Sequence, residues 1–531
     1  MSGIKYLLIL FFISTQCAVA ERNVILIIAD DLGTDYFGFY KDHVDTVDVP
    51  NIRSLARNGV RFNHLMSNPV CSSTRSTILT GRYSFRTGVG GIVGGIGGSN
   101  QLDTSEKTIP RLLKIYNPLI ACADIGKWHL HQPMPISHLL YPNRLGYDHY
   151  EGPFIGQLPS YTNWTKYING NAVNVTNYAT VENVNNALSW LKTISVNRPF
   201  FLWLAFNAPH EPLHLPPTGL HSYTNLTGSM QDINSNPKSY FKAMIQAMDH
   251  EIGRLFDSLK TMNRFDSTDV IFIGDNGNTQ RTAQITNLAK AKGTIYEYGT
   301  HVPMLVSGPS VVAPNRYSDA LINTTDIFST ILELMGDTGW KSAIPQNKIV
   351  DGKSFLSILK NQNAGIRPWS FSELFKLITD SADGKAIRNI DYKLIKFDNG
   401  KNEFYNLLSD SSESNNLLSS NMNTQDISNY NYLCNELANL TGTSTVNCQI
   451  AGLNDSNANS TFYFVPNPFF DKITLSQKLL NSHVVLLDAL GKVVYSGNEI
   501  EKHDFSNQPK GLYFLVIKEN LITHSFKLIH Q

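Results

Sequence analysis

An excess of charge of either sign is missing from this chain of 531 residues: 44 lysines and arginines stand against 44 aspartates and glutamates. That balance excludes nucleic acid and anionic membrane surfaces as partners of the whole molecule, because both are bound through surplus positive charge. A local basic pocket stays allowed. Long apolar runs are missing too. Beyond residue 20 no stretch of ~20 apolar residues occurs, so no transmembrane segment is expected. Cysteine is scarce, at five residues. Apolar residues make up 42% of the chain, enough for a large core. The length allows about three or four domains.

Residues 1–20 read as a secretory signal peptide. Lys5 precedes the apolar Tyr6–Ile13, and Ala18-Val-Ala20 is a small-residue cleavage site before Glu21. Cys17 then leaves with the signal. Cys434 and Cys448 are close in sequence and can pair in an oxidising compartment. Cys122 sits in an apolar run and reads as a core thiol. Cys71 is left over.

Cys71 lies in Asn68-Pro-Val-Cys-Ser-Ser-Thr-Arg75, which runs on to Leu79-Thr-Gly-Arg82. The pattern predicts a loop with a helix starting just behind it, and Arg75 one turn from Cys71. A helix start offers free N–H groups and partial positive charge, which favour an anion.

Around this stretch the chain alternates. Asn23–Ala29 is a continuous β-branched run, the mark of a strand buried on both faces, and Asp30-Asp31 follow it. Leu119–Ala123 runs into Gly126-Lys-Trp-His129, Pro199–Phe206 into Asn207-Ala-Pro-His210, and Asp269–Ile273 into Gly274-Asp-Asn-Gly277. Val302–Val306 makes a fifth strand. Tyr178–Thr193 and Tyr240–Lys260 carry helical periodicity between them. Strands alternating with helices predict an α/β fold with a mostly parallel sheet, whose ligands bind beyond the carboxyl ends of the strands. Four ends there deliver Asp30-Asp31, Lys127 with His129, His210, and Asp275-Asn276. The acids and Asn276 offer only oxygen, which selects a hard cation such as Ca²⁺ or Mg²⁺ over zinc. Lys127 and Lys292 supply charge for an anion, and His129 and His210 can move protons near neutral pH. The set describes transfer of a tetrahedral oxyanion group.

These motifs, in this order, resemble the type I sulfatases. They are Asp30-Asp31, Cys71-x-Ser73-x-Arg75 with Leu79-Thr-Gly-Arg82, Gly126-Lys-Trp-His-Leu130, Ala208-Pro-His-Glu-Pro212, Gly274-Asp-Asn-Gly277 and Lys292–Glu297, then His301-Val-Pro303. The likeness covers residues ~22 to ~440. It implies an alkaline-phosphatase-like fold and a formylglycine (3-oxoalanine) made from Cys71 by a formylglycine-generating or sulfatase-maturing enzyme. It implies one Ca²⁺ held by Asp30, Asp31, Asp275, Asn276 and matured Cys71. Arg75 and Lys127 would orient the nucleophile, and His129 would take its proton. His210 and Lys292 would contact the sulfate ester, with His210 protonating the leaving oxygen. The chain departs from the family at Ser73, where Pro is usual. It departs also at His301, where many relatives have Arg; by the resemblance His301 is expected near the pocket as a substrate contact, and a solvated loop histidine is the other reading.

The catalytic domain is expected over residues 21–344. Residues 345–450 resemble the smaller C-terminal sulfatase subdomain, an antiparallel sheet with a helix packed on it. A polar linker follows at 451–460. Residues 461–531 show short alternating strands, Thr474-Leu475 among them, that predict a small β-sandwich. Asn467-Pro468, Asp488–Gly491 and Gly511-Leu-Tyr513 there resemble the type A sorting domain of the type IX secretion system of Bacteroidetes-type bacteria. A carbohydrate-binding or adhesion module is the other reading of the tail. The resulting expectation is an exported, Ca²⁺-dependent sulfuric ester hydrolase acting on a sulfated algal or host glycan. A phosphodiesterase or phosphonate hydrolase of the same superfamily, or an inactive glycan-binding protein, are the alternatives.

Overall fold

The structure is a computed structural model that describes residues 22–41, 45–443, 448, 469–474, 483–489, 491–519 and 522–530. The signal segment and the polar linker lie outside the described residues. The chain divides into two compact units after Cys448.

The first unit is built on a sheet of ten strands. They are β1 (Asn23–Ala29), β2 (Gly59–Met66), β3 (Ala121–Gly126), β4 (His149–Gly152), β5 (Trp164–Ile168), β6 (Asn171–Val175), β7 (Phe200–Ala205), β8 (Thr268–Gly274), β9 (His301–Ser307) and β10 (Arg316–Asn323). Their order is β10-β2-β9-β8-β1-β7-β3-β4-β5-β6. Five of the nine pairings are parallel. The four strands with polar ends, β8, β1, β7 and β3, are parallel neighbours at the sheet centre. Their carboxyl ends therefore meet. The strand expected at Val302–Val306 is β9, which runs antiparallel to β8 and β2.

Both faces of β1 are buried, as its unbroken apolar run requires. Ile25 and Ile27 pack with helices Pro50–Arg57, Ala179–Thr193 and Pro237–Thr261. Val24, Leu26 and Ile28 pack with helices Cys71–Thr80, Ile109–Tyr116 and Thr324–Leu334. The result is three layers, helix, sheet and helix.

A second sheet follows: β11 (Ser370–Leu374), β12 (Gly384–Arg388), β13 (Tyr392–Phe397) and β14 (Asn402–Asn406), all antiparallel. Helix Thr424–Thr441 comes after it, with an Asn423/Asp426 capping box. Cys434 on that helix is bonded to Cys448, 14 residues on. Cys122 is a free, buried thiol.

The described strands of the second unit are β15 (His483–Asp488), β16 (Val493–Gly497), β17 (Gly511–Glu519) and β18 (Ile522–His530). They form a single antiparallel sheet in the order β16-β15-β17-β18. No second sheet occurs among the described residues, where a sandwich was expected. Phe469, Ile473, Ile500 and Phe505 from connecting segments cover the face made by Val484, Leu486, Tyr513 and Leu515. Loops thus do what a second sheet would do. Thr474 is not in a strand.

Candidate active site

Helix Cys71–Thr80 is unusual in burying all ten of its mostly polar residues. Buried hydroxyls need partners, and here they have them. Ser72 Oγ accepts from the Val93 N–H at 3.1 Å. Ser73 Oγ donates to the Val70 carbonyl at 3.0 Å. Thr77 donates to the Thr74 carbonyl and meets Thr324. A left-handed Gly81 ends the helix, and a Cβ there would strike the Phe328 ring at 2.6 Å. Cys71 is the first helical residue, so its side chain lies beside the unpaired N–H groups of the helix start.

Burial raises the Cys71 thiol above its ordinary value, although Lys127 and Lys292 oppose this. It therefore stays an S–H donor, and it donates to His129 Nδ1 at 3.1 Å. The tautomer follows from the other ring nitrogen. Nε2 lies 3.2 Å from the Val93 carbonyl, which can only accept, so Nε2 carries the hydrogen and Nδ1 the lone pair. Burial and the nearby Lys127 and Arg75 hold His129 well below the usual histidine range, which keeps it neutral. Gly156 gives the ring its room, since a Cβ there would lie 2.3 Å from His129 Cε1.

Behind Cys71 lies a buried charge cluster. Arg75 donates to Asp275 Oδ2 and to the Lys127 carbonyl, each at 2.9 Å. Lys127 Nζ bonds Asp30 Oδ2 at 2.5 Å. Gly126 precedes it at φ 106°, and a Cβ there would meet the Ala205 carbonyl at 1.9 Å, so only glycine lets β3 turn out beside β7. The Asp31 N–H donates to Asp275 Oδ1 at 3.0 Å, and Asn276 Nδ2 donates to Asp31 Oδ1 at 2.8 Å. Lys292 pairs with Asp31 Oδ1. His210 donates from Nδ1 to the Glu211 carbonyl at 2.7 Å, which leaves Nε2 3.6 Å from Asp31 Oδ2.

These carboxylates are not equivalent. Burial, with Asp275 and Asp31 nearby, pushes Asp30 up to about 8 even beside Lys127. Burial would raise Asp31 as well, but His210 and Lys292 outweigh it and hold Asp31 below the usual carboxylate range. Three buried oxygens here, Asp30 Oδ1, Asp31 Oδ2 and Asn276 Oδ1, accept no hydrogen bond. Ligand atoms of Asp30, Cys71 and Asp275 lie within 4.8 Å of one another, as do those of Asp30, Asp31 and His210. A buried oxygen without a hydrogen bond is costly, and a donor set of this kind fits a hard cation. The charges of Asp30, Asp31 and Asp275 formally cancel those of Arg75, Lys127 and Lys292. A divalent ion would tip the site positive and towards an anion.

Ten of the eleven expected site residues are thus brought together. Cys71, His129, His210 and Lys292 line a cavity of about 330 Å³, and Asp30, Asp31, Arg75, Lys127, Asp275 and Asn276 back it. His301 does not line this cavity. It opens β9 opposite Met66 of β2, where its Nε2–H donates to the Asn63 carbonyl at 2.7 Å and its ring stacks on His64. Other parts of the wall went unread in the sequence. They come from the segment Gly88–Gly98, which holds seven glycines, and from Gln132, Ile155 and Gln157. The glycine run was the available signal.

A cavity that brings a lysine and two histidines to the carboxyl ends of an α/β sheet suits an enzyme acting on an anionic group. Residues 22–337 match the Sulfatase family, so the chain belongs to the sulfatases and is a sulfuric ester hydrolase. Residues 290–441 match the N-sulphoglucosamine sulphohydrolase C-terminal region, and residues 463–531 match the secretion system C-terminal sorting domain. The chain is 27% identical over 383 residues to N-acetylgalactosamine-6-sulfatase of Homo sapiens, covering 65% of this chain and 67% of that protein. It is 27% identical over 330 residues to arylsulfatase J of Mus musculus, covering 59% of this chain and 52% of that one. The crystal structure of Ps i-CgsB in complex with k-i-k-neocarrahexaose is similar over 81% of this chain and 94% of its own, with 25% identity and a TM-score of 0.66. No helix among the described residues is long and apolar enough to cross a membrane.

Proposed function

We propose that this sulfatase removes sulfate from a glycan outside the cell, using a nucleophile made from Cys71 and a bound Ca²⁺. The observation that carries the reading is Cys71 at a helix start, 3.1 Å from the lone pair of a tautomerically fixed His129. As a raised, protonated thiol, Cys71 itself is a poor nucleophile. Its oxidation to formylglycine by a maturation enzyme supplies a hydroxyl nucleophile when hydrated, and Ca²⁺ supplies Lewis acidity to sulfate oxygens. Asp30, Asp31, Asp275 and Asn276 would hold the ion. Arg75 and Lys127, pinned by Asp275 and Asp30, keep position 71 oriented. His129 Nδ1 accepts a proton from it. Lys292 and His210 face the ester from the cavity side. The carbohydrate reading is supported by the neocarrahexaose complex of one relative and by the name of the human relative. The sorting tail supports delivery by the type IX machinery to the surface or periplasm of a Bacteroidetes-type bacterium. Desulfation of defined sulfated oligosaccharides, with nitrophenyl sulfate against nitrophenyl phosphate as reference, tests it. Faster phosphate turnover would sink it.

Metal removal gives a second outcome. An ion bound only by the folded state adds stability that grows with its concentration, about 2.7 kcal/mol at a hundred times Kd. Chelation should lower both Tm and activity, and Ca²⁺ should restore them. Full activity in protein shown metal-free by elemental analysis would refute the assignment.

The tail gives a third. A chain ending at Cys448 retains the whole first unit and its disulfide. It should keep its Tm and its turnover of nitrophenyl sulfate, while the same truncation in the host should stop export. Normal export without residues 449–531 would defeat the sorting role.

A further inference from the structure

Charge in the cavity lining is confined to one side chain, Lys292, which stands with Cys71, His129 and His210. Ile92, Gly94, Gly95, Gln132, Ile155 and Gln157 also line it, none of them charged. Gly94, Ile155 and Gln157 are exposed, so this uncharged wall meets whatever part of the substrate lies beyond the ester. His131 adds no charge. Its Nδ1 accepts from Trp128 Nε1–H at 3.1 Å and its Nε2–H donates to the Leu102 carbonyl at 2.7 Å, a pattern that only the neutral ring can make. Two cations on neighbouring segments are already engaged. Lys376, packed beside Gly97 of the same glycine loop, pairs with Asp380. Arg281 pairs with Glu211.

We infer that the sugar in this cavity carries a single anionic group, the sulfate that is removed, and that sulfate or carboxylate on a neighbouring carbon is rejected. The reading rests on the hydrolase assignment above. Gln132 and Gln157 offer amides that both donate and accept, which suits hydroxyls. Ile92 and Ile155 offer aliphatic surface for C–H faces of a sugar ring. A second sulfate pressed against this wall would lose water and find no cation among the described lining residues, and an unpaired desolvated charge is strongly disfavoured.

The test measures binding, apart from turnover. Full-length Cys71→Ala protein is titrated calorimetrically with matched disaccharide pairs, one member carrying one sulfate and the other the same sulfate plus a second on the adjacent hydroxyl. The singly sulfated member of at least one pair should bind, and bind about tenfold or more tightly than its partner. Gln157→Lys, at an exposed position, should shift that ratio towards the doubly sulfated member by about tenfold. Equal or tighter binding of the doubly sulfated sugars, no binding of any singly sulfated one, or an unmoved ratio in Gln157→Lys would overturn the inference. Nitrophenyl sulfate turnover by native enzyme is read alongside. If that turnover is absent while the preference holds, the hydrolase mechanism fails and the charge rule is supported.

Discussion

Replacing Cys71 by Ala should cost roughly 10⁵–10⁶ in kcat on every sulfate ester, the scale seen when a covalent nucleophile is removed. The fold should survive. Cys71 is one small side chain at a helix start, and the hydroxyls of Ser72, Ser73 and Thr77 that anchor the helix remain. Its S–H donates only to His129 Nδ1, which the cavity can hydrate. Circular dichroism and Tm should therefore match the parent while activity vanishes. Peptide mass spectrometry of active enzyme should find position 71 as an aldehyde or its hydrate. Active enzyme with only an unmodified thiol there would end the mechanism.

The second large effect separates the two histidines. His210 is fixed by its Nδ1–H bond to the Glu211 carbonyl, with Nε2 on the cavity side. Burial, with Lys292 and Lys127, holds it at about 4 despite Asp31. An anionic ester beside Nε2 favours the protonated ring and raises that value. Proton donation matters most when the leaving alcohol is strongly basic. A sugar alkoxide needs a proton, whereas a nitrophenolate leaves without one. General acid help is typically ~10²–10⁴-fold, about 3–5 kcal/mol of barrier at ~1.4 kcal/mol per tenfold. His210→Ala should therefore lower kcat/KM for a sugar sulfate by that factor and for nitrophenyl sulfate far less. His129→Ala should instead slow sulfate release with either substrate and leave the protein heavier by one sulfate after a single turnover. Equal losses on both substrates for His210→Ala would remove it as the leaving-group acid.

Much of this site was legible because it obeys one rule. β1, β7 and β8 are apolar runs with polar residues at one end, and parallel neighbours must bring those ends together. Orientation was not legible. The apolar run of β9 looks like the others yet lies antiparallel, since periodicity carries no direction. β2 was passed over because Arg61, Asn63 and His64 interrupt its pattern, at a bulge between Phe62 and Leu65. His301 was placed by motif order, which fixes the backbone of β9 but not which neighbour its side chain meets. The glycine run of Gly88–Gly98 announced a loop without saying what it would wrap around. Its destination is set by Val93, whose N–H reaches Ser72 and whose carbonyl reaches His129.

If Cys71 is matured as proposed, the burial of helix Cys71–Thr80 also sets an order of events. Cys71 is 1% exposed, and every residue that follows it in the helix is buried as well. Another protein cannot grip a segment buried along its whole length. On the maturation proposed above, an enzyme acting on Cys71 would have to meet this stretch as an extended peptide, before the layers close over it. The same residues would then be read twice, first as a linear word and later as a helix. Ser73 would serve both readings, once as a side chain offered to a stranger and once as the tie to the Val70 carbonyl. A change there has two separable consequences: a chain that folds but was never converted, and a chain that was converted but holds its helix less firmly.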